Sequence, residues 1–270
     1  MVLSLGPFQI DRGGPIMPYR EKRVHLYEQL ELFVYPITVE ERRQPRRKKK
    51  EQASREAQKA LNDLNSRKHM RWIIHTNFVK GKDFYLTLTY SDENIPKTIE
   101  EAERNLSNYL KRINRLRKKM GLPNAKYIAV TEWHEGEKRT RIHHHIIIDG
   151  ELSRDLLEDK WGKGRTNVRR LQPDPLTGYE DLANYLCKQP RTKKGKRRWK
   201  QSKGNLKKPD IRINDSKYSG RKVRKLAQCP EDPTEFEKIY KGYKFTSCKV
   251  MVNKMTDGIY LHVRMRKMQI

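Results

Sequence analysis

Residues 127–149 read YIAVTEWHEGEKRTRIHHHIIID, and this stretch decides the predicted fold. Apolar residues dominate its two ends, whereas the seven residues between them, EGEKRTR, are polar or glycine. Two apolar runs joined by a short polar loop are typical of a β-hairpin. We therefore predict two antiparallel strands, at 127–134 and 142–149.

The flanking segments extend this hairpin to the order βαββαβ. Residues 84–90 (FYLTLTY) alternate as a half-buried strand does. Helices are predicted at 98–120 and 152–161, and a strand at 166–171. This order is that of the ferredoxin-like split βαβ fold. We therefore expect an α+β protein, with an antiparallel sheet of about five strands and helices on one face. The segment 71–78 (RWIIHTNF) is predicted to be the fifth strand.

The charge of the chain indicates a polyanionic partner. Its 270 residues include 61 Lys and Arg against 33 Asp and Glu, a formal net charge of +28. Nucleic acid is the commonest partner of such a chain. Because only 35% of the residues are hydrophobic, not all of the chain is expected to form a core. We predict a basic N-terminal extension with a helix at 1–69, a core domain at 70–190, and a basic linker with a small C-terminal β appendage at 191–270.

Several features favour a cytoplasmic chain with no membrane partner. No apolar run approaches the roughly 20 residues of a membrane span. The first residues, MVLSLGPFQIDRGG, lack the basic start and long apolar stretch of a secretory signal. Cys187, Cys229 and Cys248 form neither a CxxC pair nor an even disulfide framework.

A histidine cluster in the second strand of the hairpin indicates metal binding. Since side chains alternate along a strand, His143 and His145 point the same way, while His144 faces the core with the isoleucines. Glu132, across the hairpin, completes two imidazoles and a carboxylate, which leave open positions on a metal. Mg²⁺ or Mn²⁺ at such a site would act on phosphate oxygens. His134 is a second candidate ligand, and the simpler alternative is a polar surface without an ion.

A predicted helix at 177–189 carries a candidate nucleophile. Tyr185 and Lys188 are three residues apart and share a helix face. A tyrosine phenolate can attack phosphorus and hold a covalent ester, and a neighbouring lysine would stabilise it. The alternative is a tyrosine that only packs against the sheet.

Together these segments resemble the three motifs of the His-hydrophobic-His (HUH) rolling-circle replication endonucleases. FYLTLTY, Glu132 before RIHHHIII, and Tyr185-Leu-Cys-Lys188 occur in the family's order, and the closest group is the single-tyrosine initiators of small phages and plasmids. The resemblance covers about residues 70–190. The sequence departs from the family pattern at His144, where an apolar residue is usual.

The resemblance implies a role for each site residue. His143, His145 and Glu132 would hold Mg²⁺ or Mn²⁺, Tyr185 would be the nucleophile, and Lys188 would assist it. The implied activity is nicking and rejoining of single-stranded DNA at a replication origin through a 5′-phosphotyrosine link.

Further partners follow from the same resemblance. Because the sequence has no GxxxxGK[ST] loop, a separate host helicase would unwind the DNA, and a host polymerase would extend it. Thr87 and Thr89 are expected on the open face of the sheet, where they would contact DNA. Trp199 lies in a basic segment and would stack on an unpaired base, or pack on its own domain.

Two other functions fit parts of the sequence. A relaxase or a tyrosine transposase of the same superfamily would use the same chemistry, although relaxases usually carry the histidine cluster after the tyrosine. A non-catalytic nucleic-acid-binding protein would use the sheet to stack bases, with Tyr85 as one candidate platform.

Overall fold

The structure is a computed structural model that describes residues 17–43, 55–133, 142–175, 177–188, 198–253 and 256–268. The described residues form two compact units. The central unit lies within Gln52–Pro209, and the terminal unit combines residues from Met1–Glu51 and Asp210–Ile270. In the described part of the chain, no helix has the length and apolar character needed to cross a membrane.

Ten strands and seven α-helices make up the described parts of the two units. The strands are β1 (Tyr19–His25), β2 (Gln29–Pro36), β3 (Phe84–Thr89), β4 (Tyr127–Glu132), β5 (His143–Ile148), β6 (Thr166–Arg170), β7 (Lys200–Gln201), β8 (Asp210–Asn214), β9 (Tyr243–Asn253) and β10 (Gly258–Lys267). The helices are α1 (Val39–Arg43), α2 (Arg55–Asn77), α3 (Ile99–Lys119), α4 (Arg154–Asp159), α5 (Glu180–Leu186), α6 (Gly220–Gln228) and α7 (Pro233–Ile239).

The central unit is built on an antiparallel sheet with the strand order β6-β3-β5-β4-β7. Its elements from β3 to β6 follow the predicted βαββαβ order. The alternation predicted for β3 is confirmed, because Phe84, Leu86 and Leu88 are buried while the residues between them face the other side. The mixed helix and sheet content confirms the α+β class.

Helices α3 and α4 pack on one face of this sheet, as predicted. Thr98 starts α3 by accepting a hydrogen bond from the backbone N–H of Glu101. Leu106, Tyr109 and Ile113 lie at helical spacing and are buried against the sheet. This face therefore forms one core of the central unit.

Two details of the prediction were wrong for this sheet. Residues 71–78 belong to the end of α2 and the turn after it rather than to a strand, because apolar residues from Met70 to Phe78 follow a helical period. Helices α2 and α5 cover part of the face opposite α3, so helices lie on both faces and not on one. The fifth strand is β7, which pairs with the edge of β4.

The terminal unit has a second antiparallel sheet, in the order β8-β1-β2-β10-β9. The hairpin predicted around Asp257 is confirmed as β9 and β10, with Asp257 at a φ of 47°. The sequence predicted no strand before residue 51, yet β1 and β2 pair with β8 and β10. The segments predicted as an N-terminal extension and a C-terminal appendage thus share one sheet, on which α6 and α7 pack.

Candidate metal centre and nucleophile

The register of β4 and β5 brings the three predicted metal ligands together. Glu132 pairs directly with His143, and His145 lies two residues further along the same face. The Nε2 atoms of His143 and His145 are each 3.2 Å from Oε2 of Glu132. One ligand atom from each residue lies within 4.8 Å of the others. His134, the second candidate, lies outside the described residues.

The three donors fit a divalent cation. Oxygen and nitrogen ligands about 2.1 Å from one ion and at right angles to each other are about 3.0 Å apart. The two distances of 3.2 Å to the Glu132 carboxylate are close to that value. Imidazole and carboxylate together suit ions of the Mg²⁺ and Mn²⁺ type, and three ligands leave positions for a substrate.

The surroundings of His145 prepare it to be a ligand. Burial, and then the neighbouring His143, lower the pKa of His145 to about 4, although Glu132 opposes the shift. His145 is therefore neutral at neutral pH, as metal binding requires. The hydroxyl oxygen of Tyr85 lies 2.7 Å from its Nδ1 atom, and Thr87 Oγ1 lies 3.4 Å from the same atom.

Tyr85 belongs to the site, and the sequence analysis missed this role. Its ring is parallel to that of His145, with the centroids 5.7 Å apart. A hydrogen bond from Nδ1–H to Tyr85 directs the Nε2 lone pair of His145 toward Glu132. The signal available in the sequence was the alternation of β3, which puts Tyr85 and Thr87 on one face.

Helix α5 places the predicted nucleophile beside these ligands. The Tyr185 hydroxyl lies 3.1 Å from Nε2 of His145 and 3.3 Å from Oε2 of Glu132, to which it donates. Lys188 follows the helix, with Nζ 2.8 Å from Oε1 of Glu132 and 4.1 Å from the centroid of the Tyr185 ring. The structure thus brings all five predicted metal and catalytic residues together.

The electrostatics of the pair favour a phenol held next to a cation. Burial and the Glu132 carboxylate raise the pKa of Tyr185, while Lys188 opposes this shift. Burial lowers the pKa of Lys188, but its hydrogen bond to Glu132 outweighs this effect, and the pKa is raised overall. Lys188 therefore stays charged and favours the phenolate form of Tyr185.

Helix α5 is itself held by α2. Ala183 and Leu186 are buried in the same core as the α2 residues. The backbone N–H of Tyr179 donates to Nε2 of His75 over 3.2 Å, and Arg71 pairs with Glu180 at 3.4 Å. The support of the candidate nucleophile therefore comes from a helix whose end was predicted to be a strand.

His144 points to the opposite face of the sheet, as predicted. It is fully buried, with Nε2 2.8 Å from the Tyr90 hydroxyl and Nδ1 2.9 Å from the Thr131 hydroxyl. Burial lowers its pKa to about 3. The departure from an apolar middle residue therefore leaves the register intact, because the polar ring has two hydrogen-bond partners.

A cleft of about 560 Å³ extends from the site across β3 and β6. Thr87 and Thr89 line it, together with Arg165, Asn167 and Arg169 on or beside the edge strand β6. The basic side of this cleft was not predicted.

Trp199 lies elsewhere in the central unit. Its Nε1 donates to Oε1 of Gln201 over 2.8 Å, and its ring packs on the core below α2. The structure thus agrees with the alternative in which this tryptophan packs on its own domain, and its contact with DNA stays a prediction.

A comparison with protein families links this geometry to replication. Residues 83–194 match the model of a family described as replication-associated protein ORF2. The match covers less than half of the chain and includes every residue of the candidate site. It is consistent with a rolling-circle replication initiator. Neither a curated protein nor a solved structure matches the chain.

Proposed function

We propose that this chain starts rolling-circle replication by nicking and rejoining single-stranded DNA at an origin, as an HUH endonuclease with one catalytic tyrosine. The observation that carries the proposal is the position of the Tyr185 hydroxyl, within 3.3 Å of both Glu132 and His145. A nucleophile and a candidate metal site in such contact have a ready use in phosphodiester transfer. The match to a replication-associated family supports the same reaction.

The metal site would take Mg²⁺ or Mn²⁺. His143, His145 and Glu132 would hold the cation, which when bound would polarise the scissile phosphate. Tyr85 would keep His145 in the orientation that presents Nε2. The cation would also compete with Lys188 for the Glu132 carboxylate, because the two contacts share one side chain.

Tyr185 would carry out the transfer. Its phenol loses a proton, and the phenolate oxygen forms a bond to the phosphorus while the bond between phosphorus and the 3′ oxygen breaks. The departing oxygen takes up a proton, which leaves a free 3′-OH and a 5′-phosphotyrosine. Lys188 would stabilise the phenolate in both directions. A later 3′-OH reverses the step and rejoins the strand.

The cleft beside the site suits a single strand of DNA. Arg165 and Arg169 supply positive charge, and Asn167, Thr87 and Thr89 supply polar groups. Such a surface would hold phosphates on the path to Tyr185. Strand separation and synthesis would then fall to a host helicase and a host polymerase.

The test is adduct formation by Tyr185→Phe. The full chain is incubated with Mn²⁺ and single-stranded origin DNA, and the products are separated on a denaturing gel. Wild type should give a nick and a covalent adduct, which the variant and a chelator should both abolish while DNA binding persists. Tyr179→Phe is the matched control, because Tyr179 lies at the start of the same helix and packs against His75 instead.

Two outcomes would overturn the assignment. Nicking by Tyr185→Phe at the wild-type rate, or an adduct mapped to another residue, would remove Tyr185 from its role. Binding without any nicking by wild type would instead favour a non-catalytic nucleic-acid-binding protein.

A further inference from the structure

Helix α6 of the terminal unit carries a dense group of positive charges. Residues 217–225 contain five cations and no acidic residue: Lys217, Arg221, Lys222, Arg224 and Lys225. Two of them lie over the rings of buried tyrosines, Lys217 over Tyr240 at 4.2 Å and Lys222 over Tyr218 at 5.3 Å. The other three are exposed, and we call them the α6 basic face.

The packing of α6 fixes this face toward solvent. Val223 and Leu226 are almost fully buried against the terminal sheet, and Ser219 caps the helix by accepting the N–H of Lys222. Residues three and four apart share a side of a helix, so Arg221 lies beside the next two cations of the face. Lys225 lies 3.8 Å from Glu235, and an exposed ion pair of that length is weak.

The composition of α6 selects among polyanions. Binding to a lipid surface requires an apolar face to enter the bilayer, but Val223 and Leu226 are already buried in the core of the unit. A platform for single-stranded DNA needs aromatic side chains that stack on bases, and α6 contains none. A cationic helix without an aromatic face suits the phosphates of a duplex, whose major groove, about 12 Å wide, admits a helix.

We propose that the α6 basic face binds duplex DNA. The inference rests on the proposed function, since the candidate nuclease site in the central unit is what identifies the polyanion as DNA. It adds a second contact in a unit that the family match, ending at residue 194, does not reach. Its binding would not depend on sequence, because phosphate contacts carry affinity and not base identity.

The experiment compares two triple variants of the full chain. In one, the three residues of the α6 basic face become glutamine. In the control, Lys244→Gln, Lys249→Gln and Arg266→Gln remove the same charge from exposed positions of the β9–β10 hairpin. Binding of a labelled duplex of mixed sequence is measured by anisotropy between about 50 and 200 mM salt, the range over which phosphate contacts respond strongly. Circular dichroism checks that both variants fold.

The expected result is a change confined to the α6 variant. Each phosphate contact contributes about 0.9 to the slope of log K against log salt, so loss of three contacts should lower the slope by about 2.7. The affinity at low salt should fall at least about 10-fold by the same relation, while the control stays close to wild type. Nicking of single-stranded DNA should be unchanged in both variants.

Three results would overturn the proposal: wild type that does not bind the duplex, an α6 variant that keeps the wild-type slope, or a control that loses as much affinity as the α6 variant. These results are distinguishable from failure of the proposed function. A wild-type chain that binds duplex DNA through α6 and never nicks would refute the nuclease assignment alone.

Discussion

The Nδ1 atom of His145 lies 2.7 Å from the hydroxyl oxygen of Tyr85, and the two rings stack in parallel. On the opposite face of the sheet, the hydroxyl of Tyr90 lies 2.8 Å from Nε2 of the adjacent His144. One strand therefore carries two tyrosine–histidine pairs, of which only the first faces the candidate metal site.

Replacement of Tyr85 by Phe should weaken metal binding. Removal of the outer partner of a histidine ligand typically costs about 10- to 100-fold in metal affinity. We expect Tyr85→Phe to require correspondingly more Mn²⁺ for half-maximal nicking, with most of the rate restored at saturating Mn²⁺. A Mn²⁺ titration by calorimetry provides a readout that does not depend on DNA.

Tyr90→Phe is the matched control for this experiment. It deletes the same kind of hydrogen bond on the other face, so it should lower the free energy of unfolding by about 1–3 kcal/mol and leave Mn²⁺ affinity unchanged. Equal weakening of Mn²⁺ binding by the two variants would show that Tyr85 acts only through stability.

Lys188→Met should slow nicking and shift its pH dependence. Lys188 lowers the pKa of Tyr185, so its loss leaves less phenolate at pH 7. We expect a rate about 10- to 100-fold lower, with the rising part of the pH–rate profile moved to higher pH. Lys188→Arg keeps the charge and should remain closer to wild type. A slower variant with an unmoved profile would contradict a role for Lys188 in phenolate stabilisation.

Acid should destabilise the metal-free chain through His144. Its pKa is about 3 in the folded chain, against about 6.5 in an unfolded one. Between these values the unfolded state binds more protons, so the free energy of unfolding falls as the pH is lowered, by at most about 1.4 kcal/mol per pH unit. Urea unfolding at several pH values in the presence of a chelator measures this slope.

His144→Gln is the comparison that isolates the effect. The variant should be less stable at pH 7, because one of the buried hydroxyls of Tyr90 and Thr131 loses its partner, and its stability should depend less on pH below about 6.5. An unchanged slope would assign the acid sensitivity to other groups.

The family-matched segment alone should not fold. A fragment of residues 83–194 lacks α2, whose Met70, Ile73 and Ile74 are buried in the core that supports α5. Each such side chain contributes about 1.5–3 kcal/mol when buried, and total stabilities are only about 5–15 kcal/mol. We expect cooperative thermal unfolding by circular dichroism for residues 52–209 and none for 83–194. Cooperative unfolding of the short fragment would show that α2 is dispensable.

The sequence predicted the parts of this protein that depend on local patterns. Alternation in β3 and β5 identified the faces of both strands, and it placed His143, His145 and Glu132 on one side. The segment 71–78 was misread because Trp, Ile and Phe are common in strands, whereas the helical spacing of its apolar residues becomes decisive only when α2 packs on the sheet.

Other parts depend on partners that are distant in the chain. Glu21 of β1 reads as a surface charge, yet it is fully buried and accepts a hydrogen bond from Tyr240. Nothing near Glu21 in the sequence signals this contact. The same holds for Tyr85 and His145, whose proximity follows from the register of two strands, and for the support of α5 by His75.

The terminal sheet has a consequence for how the polypeptide is made. Leu32 of β2 pairs with Val263 of β10, and the whole central unit lies between them in the sequence. During translation the central unit can complete its own pairing while β1 and β2 still await strands that the ribosome has not released. A nascent chain can therefore acquire the arrangement around Tyr185 before the sheet that joins its two distant segments exists.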